Sequence, residues 1–234
     1  MLLVHGVEGG PGVAARHAVD PRLREAFAAV RPACLRGEPA LETVLAGVRA
    51  PAVVVPLLLA RGYIFDWARE RIARIRPDLP VSAPVGVHPG CAALMREMAL
   101  GAAAQAGFDP AASVLLLVGH GTPKHPETRT TLERHAARLA LESGFARVET
   151  AFLECEPLVT EVVATLGGAS VVAVAFFVDA GPHGRDDVGA ALAPLGENAI
   201  YAGPVGLHPA LPRLIRDVAR VALAAGEAAA VRAG

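Results

Sequence analysis

Short unbroken apolar runs punctuate the chain, and each stops at a glycine or a polar residue. They read LLVHG at 2–6, AVVVPLLLA at 52–60, VLLLVGHG at 114–121, AFLE at 151–154, VVAVAFFV at 171–178 and AIYAGPVG at 199–206. Runs of this length without alternation predict strands covered on both faces, the pattern of a parallel sheet. Weaker strands are predicted at 32–35 (PACL) and 81–85 (VSAPV), and Pro56 is expected where the ladder needs no donor. Apolar residues at helical spacing fill the intervals. They predict helices over 20–30, 38–47, 66–76, 127–143, 157–168 and 212–225, a long Ala-rich helix ending near Ala106, and one starting near Asp186. In the helix over 127–143, Leu132, Ala136 and Leu139 share a face, and Gly144 is placed to cap it.

The order of elements repeats, and so do words of the sequence. APVGVHP (83–89) matches GPVGLHP (203–209) at an offset of 203 − 83 = 120; GEPALETVLAG matches CEPLVTEVVATLGG with 156 − 38 = 118; LLVHG matches LLVGHG with 120 − 5 = 115. Three anchors at such similar offsets imply an internal duplication with small insertions. The boundary falls in 106–113, which gives halves 1–108 and 109–234. The expected fold is α/β: two similar doubly wound units with parallel sheets facing a central cleft. The alternative is one larger Rossmann-like sheet.

Composition narrows the class. Hydrophobic residues make up 53% of the 234 and charged residues 19%, enough for a substantial core of Ala, Val and Leu. A formal charge of −1 argues against nucleic-acid binding, which needs a basic surface. No apolar run reaches bilayer length, so no membrane partner is expected. The amino terminus has no signal-peptide pattern, and Cys34, Cys91 and Cys155 are odd in number and unclustered. A cytoplasmic protein without disulfides is the expectation.

The chemistry concentrates where strands end. His120 follows the first strand of the second half, Glu154 the second, and His183 the third, in DAGPHGRDD. Strands lying side by side in a parallel sheet would bring two imidazoles and a carboxylate to one crevice, a set able to hold a divalent metal or move protons. Each has a bland reading as well: a turn residue, a strand-end charge, a loop histidine. The first half keeps only His5 of the three. Arg36 aligns with Glu154, and Tyr63 or Ile64 with His183, so the cluster is complete in the second half alone. Arg36 and Arg61 would instead meet an anionic ligand. Glu156, Asp186 and Asp187 read as charges at helix starts, with either aspartate also able to orient His183. His88 and His208, in the repeated G-x-H-P, read as structural, and Cys155 as core filler. His17, His125 and His135 carry no discriminating context. Lys124 and Arg129 could meet carboxylates. The chain has neither GxGxxG, GxxxxGK[ST] nor GxSxG, so nucleotide-binding and α/β-hydrolase readings fail.

LLLVGHGT, AFLE followed by a proline, FFVDAGPHGRDDV and GPVGLHP together resemble the class II tetrapyrrole chelatases, and within them the sirohydrochlorin cobalto- and ferrochelatases. The resemblance covers the second half in order and the first half more weakly. It implies two flavodoxin-like halves around an open cleft and ATP-independent insertion of a divalent metal, Co2+, Fe2+ or Ni2+, into a tetrapyrrole. No organic cofactor is implied. His120, Glu154 and His183 would be both metal ligands and catalytic residues, with Arg36, Arg61, Arg129 and Arg185 as candidates for the substrate carboxylates. The Cys- or His-rich tail of long family members is missing from AAGEAAAVRAG. The alternative function is a noncatalytic metal or tetrapyrrole carrier using the same cleft. The oligomeric state is left open.

Overall fold

The computed structural model describes residues 1–6, 11–181 and 186–233. In chain order the elements are β1 (Leu2–Val4), α1 (Gly12–Ala18), α2 (Pro21–Ala26), β2 (Pro32–Cys34), α3 (Leu41–Ala46), β3 (Val55–Pro56), α4 (Tyr63–Ile75) and α5 (Gly90–Ala106). There follow β4 (Val114–Gly119), α6 (Glu127–Glu142), β5 (Arg147–Phe152), α7 (Val159–Thr165), β6 (Val171–Phe176), α8 (Val188–Leu192), β7 (Ala199–Pro204) and α9 (Leu211–Ala233). No helix among the described residues is long and apolar enough to cross a membrane.

The chain forms two compact units, Met1–His88 with Pro209–Gly234, and Pro89–His208. The sheet of the first has the order β2-β1-β3 and that of the second β5-β4-β6-β7, every pairing parallel. In both, the strand that comes first in sequence lies inside, flanked by the second and the third. The unbroken apolar runs follow from this position: β4 and β6 are buried at every residue. In the second unit Val114, Leu116, Val118, Val171, Ala173 and Ala175 join Val159, Val163 and Val188 in one core. In the first, Leu3, Ala33, Leu35 and Val54 pack with Leu41, Leu45, Ala68 and Ile72.

The run over 52–60 yields a much shorter strand than its apolarity predicts, and Pro56 explains why. Val55 N and Leu57 N donate to Met1 O (2.8 Å) and Leu3 O (2.7 Å) on one side. On the other side Val54 N donates to Pro80 O and Val54 O accepts from Ser82 N, at 2.9 Å each, but the next donor due there belongs to Pro56 and does not exist. The predicted fourth strand is therefore a single bridge between Val54 and Val81. In the second unit β6 and β7 pair from Val171 to Ala175.

The helix predicted over 20–30 is the shorter α2, whose start is capped by the Asp20 carboxylate accepting from Arg22 N at 2.9 Å, with Pro21 in the first turn; α1 lies before it, where no helix is predicted. α3 starts at Leu41 rather than 38, since Ala40 first bridges to Cys34 and donates its amide to the Glu38 carboxylate at 3.0 Å. The start predicted near Asp186 is a π-helical turn running into α8, and α9 extends well past 225.

The duplication is visible in hydrogen bonds. Leu35 N donates to Val4 O at 2.9 Å, and Leu153 N to Gly119 O at 3.1 Å; Cys34 N donates to Pro39 O and Phe152 N to Pro157 O, both at 2.9 Å. A Cβ on Gly86 would lie 2.2 Å from Leu59 Cα, and one on Gly206 1.9 Å from Val178 O, so the repeated PVG needs its glycine in both copies for the same close approach. The line between repeats and the line between packed units differ. α5, which follows the first G-x-H-P, packs on β6, β7 and α6, whereas α9, which follows the second, packs on α2 and β3.

Candidate metal and proton-transfer site

In the second unit the chain leaves β4 towards β5 on one side and β6 on the other, so the carboxyl end of β4 is a topological switch point, where α/β sheets open a crevice. His120 stands there. Its carbonyl accepts from both Leu153 N and Glu154 N at 3.0 Å, which ties the turn after β5 to the end of β4. Gly121 adopts φ +68°, and its carbonyl lies 2.8 Å from His120 Nδ1. A carbonyl can only accept, so Nδ1 carries the proton and the lone pair resides on Nε2, the nitrogen suited to a metal or a proton. Glu154 Oε2 is 3.6 Å from Nδ1, with the imidazole 39% and the carboxylate 53% exposed. Both groups are thus in contact with solvent. Phe177, the first residue past β6, tilts its ring at 51° to the imidazole, centroids 6.3 Å apart.

The structure therefore brings His120 and Glu154 together. His183 and Arg185 fall in 182–185, outside the described residues. Among the described residues there is no cluster of three or more His, Cys, Asp or Glu placed to hold a metal ion.

The turn carrying Glu154 is braced from two sides. A Cβ on Gly121 would lie 2.4 Å from Cys155 Sγ and 2.8 Å from Phe152 Cβ, so this glycine lets the two turns touch. Burial pushes the Cys155 thiol up, the opposite of what a reactive thiolate needs. From α6, Arg129 Nε donates to Glu133 Oε1 at 2.7 Å and Nη1 to the Glu156 carbonyl at 3.0 Å, while its guanidinium carbon sits 6.0 Å from the Phe152 ring centre. The Glu133 bond raises the Arg129 pKa further.

The first unit repeats the backbone and reverses the charge. Arg36 N donates to His5 O at 2.8 Å, the counterpart of Glu154 N to His120 O. Burial and then the Arg36 cation lower the His5 pKa. Arg36 and Arg71 both approach Trp67, at 5.7 and 5.3 Å from its ring centre, and Arg71 also donates to Leu35 O (2.7 Å) and to the Glu42 carboxylate (2.6 Å). Arg61 is exposed beyond β3, and Tyr63 opens α4, 59% exposed. A separate cavity of about 860 Å³ in this unit, lined by Met1, Leu23, Phe27, Val53, Ile215 and Leu223, sits at the starts of β1 and β3, away from these residues.

Among the other histidines, His208 is buried with Glu97 3.7 Å away, and His135 is buried edge-on to Phe176 at 5.5 Å. Lys124 and His125 are exposed. Sequence reasoning missed Phe177 and Trp67 as neighbours of the strand-end groups. Phe177 hides in an apolar run that reads as continuous strand, and the only available signal was its place one residue past the end.

Comparisons with known proteins bear on this geometry. The CbiX family model matches residues 114–222, the stretch that holds His120, Glu154 and His183. A probable sirohydrochlorin cobaltochelatase of Halobacterium salinarum is 25% identical over 217 residues, covering 80% of this chain and 74% of its own. The solved structure of CbiX, described as the terminal enzyme for biosynthesis of siroheme in denitrifying bacteria, is 27% identical, covers 94% of this chain and 97% of its own, and has a TM-score of 0.78. SirB from Bacillus subtilis, solved with Fe3+, shares the fold at 21% identity and a TM-score of 0.73, covering 97% of this chain and 96% of its own. Together with the duplicated sheets and the His–Glu pair at the switch point, these matches make the chain similar in sequence and fold to the CbiX-type class II tetrapyrrole chelatases.

Proposed function

We propose that the protein inserts a divalent metal, Co2+ or Fe2+, into sirohydrochlorin or a closely related tetrapyrrole, without ATP, at the strand ends of the second unit. The observation that carries this reading is the His120–Glu154 pair, in which the Gly121 carbonyl fixes the imidazole proton on Nδ1 and so points to Nε2 as the donor. His120 Nε2 and the Glu154 carboxylate receive the metal substrate, and His183, from the segment after β6, supplies a further imidazole. Imidazole plus carboxylate suits borderline divalent ions, and so few protein ligands leave positions open for the ring nitrogens. The four ring nitrogens replace the protein ligands one by one. Two pyrrole N–H protons leave, accepted by Glu154 and the vacated imidazoles and passed to water, so that M2+ and the free ring become the metallated ring and two protons. No phosphate-binding loop is needed, and the reading involves no organic cofactor.

The substrate carries carboxylates. Arg36 and Arg61, at the corresponding strand ends of the first unit, and Arg185 are proposed to receive them. The test mixes protein, sirohydrochlorin and Co2+, Fe2+ or Ni2+ in turn and follows the absorbance change of metallation. Acceleration over the spontaneous rate is expected, and its loss in His120→Ala with the far-ultraviolet circular dichroism unchanged. Binding without acceleration would make the protein a carrier and overturn the catalytic reading.

A further inference from the structure

We infer that Arg129 is a positioning residue: it holds the turn after β5 so that Glu154 meets His120, and it does not bind the substrate's carboxylates. The inference rests on the reading of Glu154 as a metal and proton acceptor.

The turn between β5 and α7 hangs from two kinds of support. On the sheet side, Leu153 N and Glu154 N donate to His120 O at 3.0 Å each. On the helix side, the Glu156 carbonyl accepts from Arg129 Nη1 at 3.0 Å. Glu154 lies between these two anchors, and its side chain is 53% exposed, so its direction is set by the turn's backbone rather than by packing. Arg129 is itself oriented. Its Nε bonds Glu133 one helical turn along α6 at 2.7 Å, and the guanidinium lies 6.0 Å from the Phe152 ring centre. The rigid fork of the guanidinium serves a carboxylate and a carbonyl at once, which a lysine ammonium on a flexible stem cannot do in one geometry.

A substrate carboxylate would have to compete with Glu133 for a cation already paired at 2.7 Å. Nor is Arg129 needed to hold the fold together. Its ion pair is an exposed i,i+4 contact, with side chains 46% and 43% exposed, and such pairs add little stability. Removing it frees the turn without unfolding the unit. Misplacing a reacting group by about 1 Å costs roughly a hundredfold in rate, so a loosened Glu154 shows in turnover.

The experiment compares Arg129→Ala, Arg129→Lys, Glu133→Gln and the double variant Arg129→Ala/Glu133→Gln. Positioning predicts that kcat for metal insertion falls roughly ten- to hundredfold in Arg129→Ala and nearly as far in Arg129→Lys, with KM for sirohydrochlorin within about twofold of the parent. Glu133→Gln falls in the same direction, and the double variant is no worse than Arg129→Ala, because both residues serve one support. A substrate-binding arginine would instead raise KM in Arg129→Ala, recover it in Arg129→Lys and gain affinity in Glu133→Gln; that pattern overturns the inference. A second readout does not depend on insertion. Amide exchange at Glu154 should quicken at least about fivefold in Arg129→Ala while amides of β4 stay protected. Unchanged exchange at Glu154 would refute the support even if turnover fell. A parent protein that metallates nothing would refute the proposed function alone and leave the exchange result to decide on Arg129.

Discussion

Gly121 joins fold to site, and replacing it by alanine separates two costs. The residue sits at φ +68° with no room for a side chain: a Cβ would lie 2.4 Å from Cys155 Sγ and 2.8 Å from Phe152 Cβ. Gly107, in the same unit, has φ +70° and nothing within 4 Å of the same position. Both substitutions pay the left-handed backbone penalty, about 1–2 kcal/mol. Only Gly121→Ala adds the overlap of an overfilled site, about 1–3 kcal/mol. Gly121→Ala should therefore be less stable than Gly107→Ala by about 1–3 kcal/mol, read from guanidinium midpoints at equal slopes. Adding Cys155→Ala to Gly121→Ala removes the nearest obstacle and should restore part of the loss. The same shift displaces the carbonyl that holds His120 Nδ1, so Co2+ affinity should fall in Gly121→Ala and stay at the parent value in Gly107→Ala. If the two single variants agree within about 0.5 kcal/mol, the contact between the His120 and Glu154 turns is not tight, and the argument from it fails.

Glu154→Gln keeps the shape of the turn and removes the charge; calorimetry should show Co2+ binding weakened by roughly tenfold or more, with the unfolding midpoint unmoved. His183→Ala should abolish metal insertion in the absorbance assay and leave the circular dichroism spectrum intact; near-normal turnover would remove His183 from the mechanism. His5 holds its proton less tightly in the folded chain than its ordinary value of 6.5 implies. Just below that value the unfolded chain carries more protons, so this residue's contribution to stability is present above 6.5 and fades as the pH falls through the lowered value. Arg36→Ala removes one of the two causes, so the His5 pKa in an imidazole proton titration should rise; no movement would separate His5 from Arg36.

Much of the fold was legible because a parallel sheet leaves a blunt signature. β4, β6 and the long helix α5 follow from apolar runs and spacing alone. The failures are local and physical. Apolarity over 52–60 reports burial on two faces, not hydrogen bonding, and Pro56 ended a ladder that the pattern could not see ending. The helix before PACL starts where Asp20 and Pro21 signal it but ends at Ala26, and α1 forms over 12–18, where the apolar spacing predicts none. The packing of α5 and α9 into different units was invisible for a different reason. Repeats are read along the chain, whereas contacts after a G-x-H-P turn depend on where the following helix is directed.

The candidate site is a set of strand ends, and the sequence shows the asymmetry of charge between them. At one backbone position the two units make the same hydrogen bond, from Arg36 N to His5 O at 2.8 Å and from Glu154 N to His120 O at 3.0 Å. The main chain does not distinguish them, so the side chain decides. In water, unit charges 4 Å apart interact by about 1 kcal/mol, and a divalent ion doubles that. Exchanging a neighbouring carboxylate for a guanidinium thus swings the affinity for M2+ by about 4 kcal/mol, close to a thousandfold. The same guanidinium that repels a metal attracts a carboxylate and, after burial, is the second cause that lowers the proton affinity of His5. One duplicated turn can therefore carry a carboxylate that favours a nearby cation in one unit and a guanidinium that disfavours it in the other.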